Sequence, residues 1–113
     1  MDKLLKGIAA ACAEVKLTGF MALRPDCRFK IGKTTQTLAQ RFAEKYSSQY
    51  ADIELLYDAY DNGELIDAIE KEVIEFSKEA YPDRCDNDQI GGGPNCADNA
   101  DRDNTAKLYV VWR

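Results

Sequence analysis

The stretch Phe29-Lys30-Ile31-Gly32-Lys33-Thr34-Thr35-Gln36-Thr37-Leu38-Ala39-Gln40-Arg41 changes period in mid-course. With Cys27 and Arg28 before it, its first part reads as a short strand over residues 27–31. At Thr37 the pattern turns helical. Thr37 and Gln40 fit a capping box, in which each side chain satisfies the other's free backbone N–H, so a helix begins there and runs to about Ser47. Leu38, Phe42 and Tyr46 then face the core and leave Gln40, Arg41, Glu44 and Lys45 in water. Lys30 and Lys33 flank Gly32, whose missing side chain lets a phosphate approach the backbone, and Arg41 adds a third cation. A strand, a glycine turn and a basic-faced helix in this order point to a phosphate-handling site.

The overall charge points the other way. The 113 residues carry 20 Asp plus Glu against 15 Lys plus Arg, so the chain as a whole repels polyanions. The distribution resolves part of the conflict. Residues 1–45 hold nine bases and four acids, net +5, whereas residues 46–105 hold sixteen acids and four bases, net -12. Any nucleic acid must therefore meet the first half.

Working outward on the N-terminal side, Leu4, Leu5, Ile8, Ala9, Cys12 and Val15 recur at three- and four-residue spacing and predict an amphipathic helix over 1–16. Lys6 and Asp2 spoil the resemblance of this opening to a secretion signal, and no apolar run approaches the roughly 18 residues of a membrane span. Residues 17–23 and 27–31 read as two strands of a hairpin turned at Arg24-Pro25-Asp26. On the C-terminal side, Ile53 to Tyr60 is a strand ended by Asp61-Asn62-Gly63. Residues 64–80 form a helix with the stripe Leu65, Ile66, Ile69, Val73, Phe76, Ala80. Residues 81–104, with six Asp, four Asn and Gly91-Gly92-Gly93-Pro94, form a long acidic loop. Residues 107–112 are a last strand. The expected fold is one α+β domain, helix then ββα-βα-β, with about four strands in one mostly antiparallel sheet flanked by helices.

Four cysteines without a close pair, and no histidine, argue for free thiols in a cytoplasmic protein rather than a zinc site. Asp98, Asp101 and Asp103 offer hard oxygens for calcium, but their spacing fits no EF-hand. Glu70 stands apart from its acidic neighbours. On the helical wheel Ile66, Val73 and Ile74 bracket it, so its carboxylate needs a cation or a basic side chain as partner.

Phe29-Lys30-Ile31-Gly32-Lys33-Thr34 followed by Arg41 resembles the GIY-YIG nuclease superfamily, in particular a phage-associated branch whose second motif reads Tyr-Lys-Ile-Gly-Lys-Thr. Gly19-Phe20-Met21 lies where the Gly-Ile-Tyr of the first motif would stand. The resemblance implies a small antiparallel sheet with helices and phosphodiester cleavage with Mg²⁺ or Mn²⁺. It assigns Arg41 to the phosphate, Glu70 to the metal, and Asn87, or else Asn95, to the asparagine that follows the Glu helix. Neither motif tyrosine is present: Phe20 or Met21 replaces the first and Phe29 or Lys30 the second, leaving Tyr46 or Tyr50 as sources of a hydroxyl.

Two functions compete. One is a DNA- or phosphodiester-binding domain using Lys30, Gly32, Lys33 and Arg41, with metal-dependent endonuclease activity through Arg41, Glu70 and Asn87. The other is a catalytically inactive domain whose acidic face docks a basic protein or mimics nucleic acid. The enzyme requires Arg41 and Glu70 to share one metal-phosphate site.

Overall fold

A computed structural model describes residues 2–88 and 95–113. The middle of the expected acidic loop, residues 89–94, lies outside them. The fold is α+β, with three helices and one antiparallel sheet of three strands. Helix α1 spans Lys3–Ala22, strand β1 Phe29–Thr34, helix α2 Leu38–Lys45, strand β2 Asp52–Tyr60, helix α3 Gly63–Ala80 and strand β3 Ala106–Trp112. A short 3-10 turn, Cys96–Asp98, precedes β3.

The expected four strands and the hairpin at residues 17–31 are corrected by α1, which runs through residues 17–22 without a break. The residues themselves carry the reason. Leu17, Phe20 and Met21 continue the helical phase of Ala9, Ala10 and Ala13, and all six are buried on one face. Asp2 caps the helix start by accepting from the Leu4 and Leu5 amides, and Pro25 stands two residues beyond the C-cap Leu23. The buried face of α1 is also not the expected one, since Leu4, Leu5, Ile8, Cys12 and Val15 point outward.

The last strand is the centre of the sheet, whose order is β1-β3-β2. β3 pairs antiparallel with β1, from Phe29↔Trp112 to Thr34↔Lys107, and with β2, from Asp52↔Trp112 to Tyr60↔Ala106. Its Leu108, Tyr109, Val110 and Val111 are fully buried, as an apolar run covered on both faces should be. One face carries Leu108 and Val110 with Phe29, Ile31, α1 and α3. The other carries Tyr109 and Val111 with Tyr46, against Leu38 and Phe42 of α2 and Ile53 of β2. Alternation along β1 therefore sends Lys33 to the α1/α3 face, and Lys30 and Gly32 to the α2 face.

The outer edge of β1 is covered without a fourth strand. The Phe29 amide donates to the Arg84 carbonyl at 2.8 Å, and the Asp86 amide to the Phe29 carbonyl at 2.6 Å. Next along the edge, the Asn87 side chain accepts from the Ile31 amide and donates to the Ile31 carbonyl, both at 2.9 Å. A buried carboxamide thus mimics one residue of a neighbouring strand and satisfies an edge that would otherwise be open.

Candidate functional site

The capping box at the start of α2 forms as read. The Gln40 amide donates to the Thr37 hydroxyl and the Thr37 amide to the Gln40 side chain, each at 3.2 Å. This fixes the direction of α2 and brings Arg41 back over the sheet. The Arg41 Nε donates to the Tyr109 hydroxyl at 3.2 Å, and the Tyr109 and Tyr46 hydroxyls share a hydrogen bond of 2.6 Å. Burial, then the neighbouring Tyr46, pushes the Tyr109 phenol far above its ordinary pKa, so it stays protonated and acts as a fixed dipole under the guanidinium.

Gly32 lies directly across from Tyr109 in the β1–β3 ladder. A Cβ at Gly32 would overlap the Tyr109 phenol. The space left by the missing side chain therefore holds a tyrosine ring, and this face of the Gly32 backbone is closed to a phosphate.

Three cations gather on this side of β1. Lys30, Arg41 and Lys45 have no carboxylate partner in the ion pairs among the described residues. Lys45 is held below its ordinary pKa by desolvation first, then by the charges of Arg41 and Lys30, with Glu70 working in the opposite direction. Glu44 near Arg41 and Glu70 near Lys45 offset part of this charge without a direct ion pair, and cations that repel one another make a site that an added anion stabilises. Past the end of β1 a cleft of about 180 Å³ opens, lined by Lys33, Thr34, Thr35, Gln36, Arg41, Asn95, Cys96 and Asn99. Arg41 belongs to both the cation group and the cleft.

Glu70 is buried on the other face of the sheet, where its partner is Lys33. The Lys33 Nζ lies 2.9 Å from an Asp67 oxygen and 3.5 Å from a Glu70 oxygen. Asp67 also accepts from the Cys96 and Ala97 amides at 2.8 and 2.9 Å. Burial opposes ionisation of Asp67, but Lys33 and the two amides outweigh it and hold its pKa below the usual range. Glu70 is less well served. Burial pushes its pKa up, and the attraction of Lys33 compensates only in part. Burial also works against the Lys33 charge, which the Asp67 bond and the Glu70 charge restore and raise on balance.

These contacts decide where the sequence-derived candidates stand. Lys30 and Arg41 come together with Lys45. Lys33 is held in an ion triad with Asp67 and Glu70 and also lines the cleft beside Arg41. Asn87 is committed through both ends of its amide to Ile31 and, through its backbone carbonyl, to Lys78. Glu70 sits on the α1/α3 side of the sheet with Lys33 and Arg41 on the α2 side with Tyr109, while Lys33 and Arg41 line the same cleft at the end of β1. Beside Glu70 stand the Lys33 ammonium and the Asp67 carboxylate that shares it, and among the described residues no group of three or more His, Cys, Asp or Glu side chains converges.

Tyr109 is the residue that sequence reading missed. Its signal was present, since a tyrosine inside an apolar run places a hydroxyl in the core and demands a partner. No protein-family model matches the chain, nor does any curated protein or solved structure. No described helix is long and apolar enough to cross a membrane.

Proposed function

We propose that this chain is a GIY-YIG-like phosphodiester-binding domain whose motif strands occur in permuted order, the first-motif strand being the last in the chain. The Lys-Ile-Gly-Lys-Thr strand pairs antiparallel with β3, Gly32 opposite Tyr109, and this reading gives Leu108-Tyr109-Val110 the part for which Gly19-Phe20-Met21 was expected. Tyr109 then replaces the tyrosine those residues lack. The observation that carries this reading is the Arg41–Tyr109–Tyr46 chain of hydrogen bonds seated over Gly32.

In this reading Tyr109 orients the guanidinium by accepting from Nε, which leaves the terminal nitrogens of Arg41 for two oxygens of one phosphate. Lys30 and Lys45 neutralise the neighbouring phosphates. DNA is the expected polyanion, held weakly because the acidic half of the chain repels it. Cleavage with Mg²⁺ or Mn²⁺ is the branch with least support, because Lys33 already neutralises Glu70.

The binding test is a titration of labelled duplex and single-stranded DNA at low and moderate salt. Wild type should bind with a steep salt dependence, and Lys45→Ala or Lys30→Ala should each flatten the log–log salt slope by about 0.9 on duplex DNA. Arg41→Ala should weaken binding most. No binding at low salt would sink the proposal and favour the acidic interaction module. That second reading has its own support in Glu64, Glu75 and Glu79, which stand exposed along α3 as a surface for a basic protein. A plasmid-nicking assay with Mg²⁺ and with Mn²⁺ tests the enzyme branch, which needs activity that Glu70→Gln abolishes.

A further inference from the structure

Next to the start of β1 the sheet carries a second pair of guanidiniums on the α2 side. The Arg28 and Arg113 amides donate to each other's carbonyls at 2.9 Å, so these residues extend the β1–β3 ladder by one step. By strand alternation Arg28 shares the side of Lys30 and Gly32, and Arg113 that of Tyr109 and Val111. Both reach the Asp86 carboxylate, the Arg28 Nε at 2.9 Å from one oxygen and the Arg113 Nε at 3.0 Å from the other. The Tyr50 hydroxyl also donates to Asp86, at 3.0 Å, and the Arg113 guanidinium lies 5.8 Å from the centre of the Tyr50 ring. Tyr50 packs edge-on against Tyr46, which joins this cluster to the Arg41–Tyr109 site.

The way these arginines are held suits an anion. Arg113 gives Asp86 its Nε alone, and Arg28 gives its Nε to Asp86 and one terminal nitrogen to the Asp83 carbonyl. Arg41 is anchored in the same manner, through Nε to Tyr109. Each guanidinium is thus fixed at its inner nitrogen and keeps terminal nitrogens for oxygens of a ligand. The Asp86 side chain is only 10% exposed, while those of Arg28 and Arg113 stay about half exposed. Two arginines against one carboxylate leave one positive charge, which one phosphate would neutralise.

We propose, resting on the phosphate role of Arg41, that Arg28 and Arg113 form a further phosphate site and that the α2 side of β1 holds three successive phosphates of an extended single nucleic-acid strand. Two residues along a β-strand cover about 6.7 Å, comparable to the separation of neighbouring phosphates in an extended strand. Arg28 with Arg113, Lys30 with Lys45, and Arg41 over Gly32 stand one such step apart. Helix α2 leaves this side of β1 open, since its Leu38 and Phe42 pack on Tyr109 and Val111 of β3 and near Ile53 of β2. The acids along the row are few. Asp86 is shared by the two arginines, and Glu44 accepts from the Gln36 side chain at 2.9 Å. Asp88, beside Asn87 at the β1 edge, is in no ion pair among the described residues. A straight row suits a single strand, because the phosphates of a duplex strand wind away around the helix axis. The half-buried Tyr50 ring beside Arg113 offers a base a stacking surface.

The test titrates the full chain with thymidine oligonucleotides of two, four and eight residues, without terminal phosphates, and follows amide chemical shifts at several salt concentrations. Affinity should rise about tenfold or more from the dimer, with one phosphate, to the tetramer, with three, and little from tetramer to octamer. The Arg28 and Arg113 amides should shift with the tetramer. Arg28→Ala and Arg113→Ala should each flatten the log–log salt slope for the octamer by about 0.7, whereas Lys71→Ala, on the far side of the sheet, should leave it unchanged. Octamer binding that Arg41→Ala weakens but neither Arg28→Ala nor Arg113→Ala alters would overturn the row and spare the Arg41 site. No binding at low salt overturns both. Equal affinity for dimer and tetramer, or tighter binding of an eight-base-pair duplex than of the octamer, overturns the single-strand assignment.

Discussion

Replacing Tyr109 with Phe removes one oxygen and keeps the ring, so it isolates the hydrogen-bond chain from the packing around Gly32. The lost bonds are a charge-assisted one from Arg41 and a neutral one with Tyr46, whose own hydroxyl is left buried without a partner. A bond to a charged donor contributes about 1.5–3 kcal/mol and a neutral one about 0.5–1.5. With Arg41 only half-buried, the expected loss is about 2–4 kcal/mol. At about 4 °C per kcal/mol for a chain of 113 residues, Tm should fall by about 8–16 °C. Tyr46→Phe should cost less, because Tyr109 keeps Arg41. The double variant should lose about 1 kcal/mol less than the sum, since removing both hydroxyls leaves neither orphaned. Thermal and urea unfolding of the four proteins completes the cycle. A Tyr109→Phe variant within about 0.5 kcal/mol of wild type, or strict additivity, would refute the claim that this chain of bonds holds Arg41.

Gly32→Ala should destabilise by about 1–3 kcal/mol or more, because the Tyr109 ring has no free direction in which to yield, and a chemical-unfolding midpoint shows it. Asn87→Ala should cost about 2–4 kcal/mol by leaving the Ile31 amide and carbonyl unpaired at the sheet edge, with faster amide exchange at Ile31 as the direct readout. Glu70→Gln should raise Tm at neutral pH. The folded-state pKa of Glu70 is raised above its unfolded value of 4.5, so stability from its protonated form is present below that value and lost as pH rises. The gain from Gln should therefore vanish near pH 4, and a Tm below wild type at pH 7 would show that the Lys33 pair outweighs the burial of the charge.

The elements with strong local chemistry were legible in the chain. The capping box of α2, the stripe of α3 ending at Asp61-Asn62-Gly63 on its N-terminal side, the strand at Ile53 and the apolar run before Trp112 all stand within a residue or two of where their side-chain periods put them. These features depend on neighbours in sequence: a cap needs a residue three positions away, and a stripe needs its own period. Residues 17–22 were not legible, because Leu-Thr-Gly-Phe-Met-Ala suits a strand as well as a helix. The choice fell to the helix that could bury Leu17, Phe20 and Met21 in phase with the alanines. The partners of the charged residues depended still more on long-range pairing. Once β3 inserted beside β1, the Tyr109 ring took the space over Gly32, Arg41 gained its hydroxyl, and Lys33 turned to the opposite face to meet Asp67 and Glu70. A residue type announces that a buried charge or hydroxyl needs a partner, but strand order and register choose which one, since they set which side chains share a face across dozens of intervening residues.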